Sequence, residues 1–123
     1  MGTGSGIQAI TAAKKREVKS VVAAEISPAA LKFAAAAAAK EAVKGKITFA
    51  KSDLYSNIKG TFDTIIFNPP YLQQDKGITD AAIYGGKHGY EIVERFLNNC
   101  NRHLNDRGII LIVFSSRTNK QKV

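Results

Sequence analysis

Asn68-Pro69-Pro70-Tyr71 is the segment whose residue types most directly suggest chemistry. Two prolines also end a β-ladder, because proline cannot donate to it. That alone does not explain an asparagine before them and an aromatic after them. Together the four residues suit a planar NH2 group. The lone pair of such a nitrogen is delocalised, so it is a poor nucleophile. The Asn68 side-chain oxygen can accept one of its N–H groups. The Pro69 carbonyl can accept a second, in a direction fixed by the proline rings. Tyr71 can stack on a flat group. An already activated methyl donor then needs positioning more than activation, and near-attack placement can supply several kcal/mol. No general base is evident, and none is required if the proton leaves after transfer.

A second constellation lies upstream. Gly2-Thr3-Gly4-Ser5-Gly6 precedes a helical pattern from Ile7 to about Arg16. Glycines there permit positive φ and a close approach of ligand to backbone, and the first amides of the helix face that ligand. Alone such a loop is a weak signal and can be a flexible glycine-rich start. The dinucleotide fingerprint would want glycine where Ile7 stands. Glu25 follows about 20 residues on, where a carboxylate can accept both hydroxyls of a ribose. Ile26 can cover one face of a base. Asp53 can accept from an exocyclic amine, and Leu54 can pack on the ring. Either carboxylate can also be an ordinary surface or turn residue. Ligand-type residues at successive strand ends are what a crevice on one sheet edge requires.

The elements that would position them alternate strand and helix, which predicts an α/β fold with a parallel, doubly wound sheet. Strands are predicted at Ser20–Ala24 (ending at Glu25), Lys46–Lys51, Thr64–Phe67 and Gly108–Phe114. The last is fully apolar, as expected of a central strand. Ser27 caps a helix with Pro28 in its first turn, running to about Val43. It contains six consecutive alanines, Ala34 to Ala39, and alanine is the best helix former. Residues 72–89 read as a loop punctuated by Gly77, Gly85, Gly86 and Gly89. Tyr90–Leu104 reads as a helix with Ile92, Val93, Phe96, Leu97, Cys100 and Leu104 on one face. A strand normally precedes such a glycine loop. Without it, Ser20–Ala24 and Thr64–Phe67 have no partner between them. The expectation is therefore that natural sequence precedes Met1, and that strands follow Val123.

The length of 123 residues fits a single domain. One cysteine, Cys100, excludes an internal disulfide and a cysteine-based zinc site, so no metal site is predicted and a reducing cytoplasm is the simplest setting. No apolar run reaches the roughly 18 residues of a membrane span, and no signal peptide is visible. The net charge of +8 favours acidic or nucleic-acid partners, although much of it lies in Lys14-Lys15-Arg16 and in the tail from Arg117 to Lys122, where charge can simply solvate. His88 and His103 read as a loop histidine and a helix-end histidine.

The order Gly-Thr-Gly-Ser-Gly, Glu25, Ser52-Asp53-Leu54, Asn68-Pro-Pro-Tyr71 resembles class I S-adenosylmethionine-dependent methyltransferases that modify planar nitrogens. Two branches share the last motif: adenine N6-methyltransferases of DNA or RNA, and HemK-like glutamine N5-methyltransferases of release factors. The segment Ala82-Ile83-Tyr84-Gly85-Gly86-Lys87-His88-Gly89-Tyr90-Glu91 looks like the HemK type, and the short loop before it resembles the archaeal and eukaryotic branch. The resemblance implies S-adenosylmethionine as cofactor, held by Gly2, Thr3, Gly4, Gly6, Glu25, Ile26, Asp53, Leu54 and Asn68. It implies Asn68, Pro69, Pro70 and Tyr71 around the glutamine of a class 1 release factor. A small zinc-binding activator subunit is a further implied partner. A DNA enzyme must flip its base and would bring a recognition domain, which 123 residues do not hold. A cofactor-binding piece without activity is the non-enzymatic alternative.

Overall fold

A computed structural model describes residues 1–70, 85, 86 and 88–114. Tyr71, residues 72–84 of the predicted loop, Lys87 and the basic tail lie outside them. The chain divides into two compact units, Met1–Lys59 and Gly60–Val123.

The first unit contains α1 (Ile7–Ala13), β1 (Val21–Glu25), α2 (Pro28–Lys40) and β2 (Ile47–Lys51). β1 and β2 are parallel, in register from Val21 opposite Ile47 to Glu25 opposite Lys51. The second unit contains β3 (Phe62–Phe67), α3 (Glu91–Cys100) and β4 (Leu104–Ile112). β3 and β4 are also parallel. Each unit is thus a strand–helix–strand crossover around one two-stranded sheet.

α2 starts as predicted. The Ser27 hydroxyl accepts the Ala30 amide at 3.3 Å, with Pro28 in the first turn. It stops at Lys40, three residues early. Ala42 takes a left-handed φ of 57°, and the Val43 amide turns back to the Ala38 carbonyl. This is a helix-terminating loop of a kind usually built on glycine. α1 likewise stops at Ala13 and not Arg16. The Lys46 ammonium closes that end by donating to the carbonyls of Lys15 and Val18.

The first unit's core is made mainly of small side chains: Ala9, Ala13, Ala23, Ala38 and Ile47. Small residues allow backbones to approach closely, and the closest case joins Gly6 to α2. A Cβ added at Gly6 would lie 2.8 Å from the Cβ of Ala34, a fully buried residue. Gly6 also has φ +85°. Gly6→Ala should therefore destabilise the protein by about 2–4 kcal/mol, from the left-handed penalty plus overpacking. Urea unfolding measures this, and an unchanged midpoint would refute the close-packing argument.

In the second unit Val93, Phe96 and Cys100 form the buried stripe of α3, with Ile92 and Leu97 at its margins. The predicted helix overran its end, because Leu104 begins β4. β4 also departs from a doubly covered central strand. Ile109, Leu111 and Val113 are more than half exposed, while Ile110 and Ile112 between them are half-buried. The ladder is irregular between Phe62 and Thr64, opposite the segment where Arg107 adopts φ 64°.

Candidate active site

In the first unit, main-chain bonds bring the predicted cofactor residues to one sheet edge. The Thr3 amide donates to the Ala24 carbonyl at the end of β1, at 2.9 Å. The Gly4 amide donates to Glu25 Oε2 at 3.0 Å. The Ser52 amide donates to the Glu25 carbonyl, bringing the end of β2 alongside. Gly2, Gly4 and Gly6 all have positive φ, and nothing lies within 4 Å of a Cβ added at Gly4. Thr3 is buried, so it anchors the loop from below.

Glu25 has a role that its residue type alone did not reveal. Besides the Gly4 amide, its Oε1 accepts the Ile26 and Ser27 amides at 2.9 and 3.1 Å. The half-buried carboxylate thus pins the glycine loop and the entry to α2. One lone-pair direction on Oε2 remains for a ligand hydroxyl. Ile26 beside it leaves an apolar side chain 56% exposed.

Ser52 is the functional residue the sequence reading gave no role. Its buried hydroxyl donates to the Leu54 carbonyl at 2.7 Å and accepts the Asn57 amide at 2.9 Å. Ser56 takes the Asp53 amide. This network holds Leu54 at φ 49°, a conformation rare for a non-glycine residue. It presents Asp53 exposed and Leu54 half-buried. A serine two residues before a leucine and four before a second serine was the available signal.

These groups fit S-adenosylmethionine by chemistry. Two carboxylates at successive strand ends suit a ribose and an exocyclic amine. The open, positive-φ glycine at position 4 leaves room for a ligand against the backbone.

In the second unit Ile65, Phe67 and Pro69 point alternately into the core, and Pro69 is among the most deeply buried residues. The Phe67 ring lies 4.7 Å from that of Phe96 on α3, tilted by 41°. Asn68, between two buried neighbours, is exposed. The motif thus projects its amide outward from a fixed backbone. Gly85 returns directly onto this segment: a Cβ there would stand 2.5 Å from the Pro70 carbonyl oxygen. The turn after Gly85 is held by Glu91, whose carboxylate accepts the His88 amide and faces His88 Nδ1, both at 2.9 Å, and accepts the Tyr90 amide at 3.1 Å. Burial pushes the Glu91 carboxyl up, but these hydrogen bonds outweigh it and leave it below the usual carboxylate range. His88 is exposed and stacks on Tyr90. His103 Nδ1 meets the Gly60 carbonyl, and Cys100 is core.

The family model for the methyltransferase small domain matches residues 1–123. The chain belongs to that family. The chain is 39% identical, over 99% of its length, to a Methanocaldococcus jannaschii protein named as a protein N5-glutamine methyltransferase, and spans 63% of that relative. It is 35% identical, over 91% of its length, to a release factor glutamine methyltransferase of Lactococcus lactis, and spans 44% of it. The crystal structure of a ribosomal protein L11 methylase from Lactobacillus delbrueckii subsp. bulgaricus matches 94% of this methyltransferase chain and 48% of its own, at a TM-score of 0.67 and 30% identity. The chain therefore has the Rossmann-like α/β methyltransferase fold, and spans roughly half the length of these relatives. No helix among its described residues is long and apolar enough to cross a membrane.

Proposed function

We infer that the chain is the core of an S-adenosylmethionine-dependent methyltransferase acting on the side-chain amide nitrogen (N5) of a glutamine in a class 1 release factor. The observation that carries this reading is Asn68, exposed between buried Phe67 and Pro69 at the end of β3. The names of the relatives cited above, each a protein methylase, support a protein substrate. The family match runs through both units, which supports treating 1–123 as one domain. A cytoplasmic setting follows from a substrate of the translation machinery.

S-adenosylmethionine, when bound, supplies a methyl group activated by a positive sulfur. Glu25 and Asp53 would hold its ribose and adenine amine, with Ile26 and Leu54 against the ring. Asn68 Oδ1 would accept one N–H of the substrate amide and orient the nitrogen lone pair. The Pro69 carbonyl would accept the other, and Tyr71 would stack on the amide plane. The proton leaves to water afterwards, so the site needs placement and no base.

Adenine N6-methylation is the second reading, favoured by the charge of +8 and by the same motif. Incubating the intact protein with a labelled methyl donor and either release factor or duplex DNA separates the two. Label on the release factor is the expected result. Label on DNA alone sinks the glutamine reading. Donor binding with no label on either sinks both.

A further inference from the structure

Gly85 is buried, yet its own φ lies outside the left-handed region that favours glycine. Its backbone conformation therefore does not demand glycine; its surroundings do. A Cβ at this position would stand 2.5 Å from the Pro70 carbonyl oxygen, 2.5 Å from the Gly89 carbonyl oxygen and 3.0 Å from the Gly89 carbonyl carbon. All three are backbone atoms, which cannot swing aside as a flexible side chain would.

Both sides of that contact are anchored. The Gly85 carbonyl accepts the Ile92 amide in the first turn of α3, and the Gly89 amide closes the turn onto Gly86. Glu91 holds the same turn through His88 and Tyr90. α3 in turn packs Phe96 on Phe67, the residue before Asn68. Pro69 fixes the motif from within the core, and Gly85 meets it at the next carbonyl.

We propose that Gly85 is a positioning residue, which sets the direction of the Pro70 peptide and through it the orientation of Asn68 and the Pro69 carbonyl towards the methyl acceptor. This rests on reading Asn68–Pro70 as the acceptor-holding segment. A methyl group at position 85 must displace the Pro70 carbonyl to reach ordinary contact. A shift on the order of 1 Å in positioning groups can cost about 100-fold in rate.

The test compares Gly85→Ala, Gly60→Ala and Asn68→Ala in the intact protein, with the release factor as substrate. Nothing lies within 4 Å of a Cβ added at Gly60, and φ there is +82°. Gly60→Ala thus strains the backbone of the same unit without touching Pro70 or the turn that Glu91 holds. Gly85→Ala should lower kcat about 100-fold while cofactor affinity stays as in the parent, and Gly60→Ala should retain most of its turnover. Parental kcat in Gly85→Ala would overturn the proposal. So would equal losses in both glycine variants that follow their melting temperatures, since that is the mark of a structural role. If Gly85→Ala does not fold, Glu91→Gln decides. It loosens the turn without adding bulk, and a reduced kcat with unchanged cofactor affinity supports the proposal, whereas a parental kcat overturns it. Parental turnover in Asn68→Ala would overturn the motif reading and this inference together. An inactive Asn68→Ala beside a fully active Gly85→Ala would remove only this inference.

Discussion

Asn68→Ala is expected to lower kcat by about 100- to 1,000-fold, the range seen when one preorganised polar contact to a reacting centre is removed. Asn68 is exposed at the end of β3, so its loss should leave no cavity and little change in melting temperature. Cofactor affinity should stay within a few-fold of the parent, because the residues assigned to most of the cofactor lie in Met1–Lys59. Single-turnover kinetics with labelled donor, together with calorimetric titration of S-adenosylmethionine, measure the two quantities separately. A large loss of cofactor binding with little change in turnover would reverse the division of roles.

Glu25→Ala should have the opposite signature. The carboxylate accepts the amides of Gly4, Ile26 and Ser27 at 2.9–3.1 Å. Removing it takes an acceptor from the cofactor and also releases the glycine loop from the end of β1. A hydrogen bond to a charged group contributes about 1.5–3 kcal/mol, so the cofactor dissociation constant should rise by about 10- to 100-fold. The three freed amides are partly solvated, so the stability loss should be nearer about 2 kcal/mol than their full sum. Glu25→Gln separates the two roles, because its amide oxygen can still accept the Ile26 and Ser27 amides while the second oxygen is lost. It should keep most of the stability and lose most of the affinity. Parental affinity in both variants would remove Glu25 from the cofactor site.

The strands were legible because punctuation bounded them: Glu25 and Ser27 after β1, Ser52-Asp53 after β2, Pro69-Pro70 after β3. Helix ends were less legible, for a physical reason in each case. Ala42 occupies a left-handed position that composition assigns to glycine, so nothing in the alanine-rich run announced the stop. Leu104 stands four residues after Cys100, which matches the helical period, yet it pairs with Phe62 in the β-ladder. Within the site, side-chain types pointed to the ligand groups at Glu25, Asp53 and Asn68. The support beneath them did not show, because it depends on which amides the chain folds back to offer. Glu25 as a loop anchor, Ser52 as the centre of a turn and Gly85 against Pro70 are all of this kind.

Gly6 and Ala34 carry a consequence for sequence change. Between them there is room for a single methyl group, and Ala34 already fills it. The two positions therefore behave as one allotment of volume shared by the cofactor loop and the middle of α2. Any side chain gained at 6 demands its removal at 34, so substitutions at the two sites should be non-additive in a double-mutant cycle. Selection on loop shape would then surface as covariation on a helix far along the chain from the glycine motif.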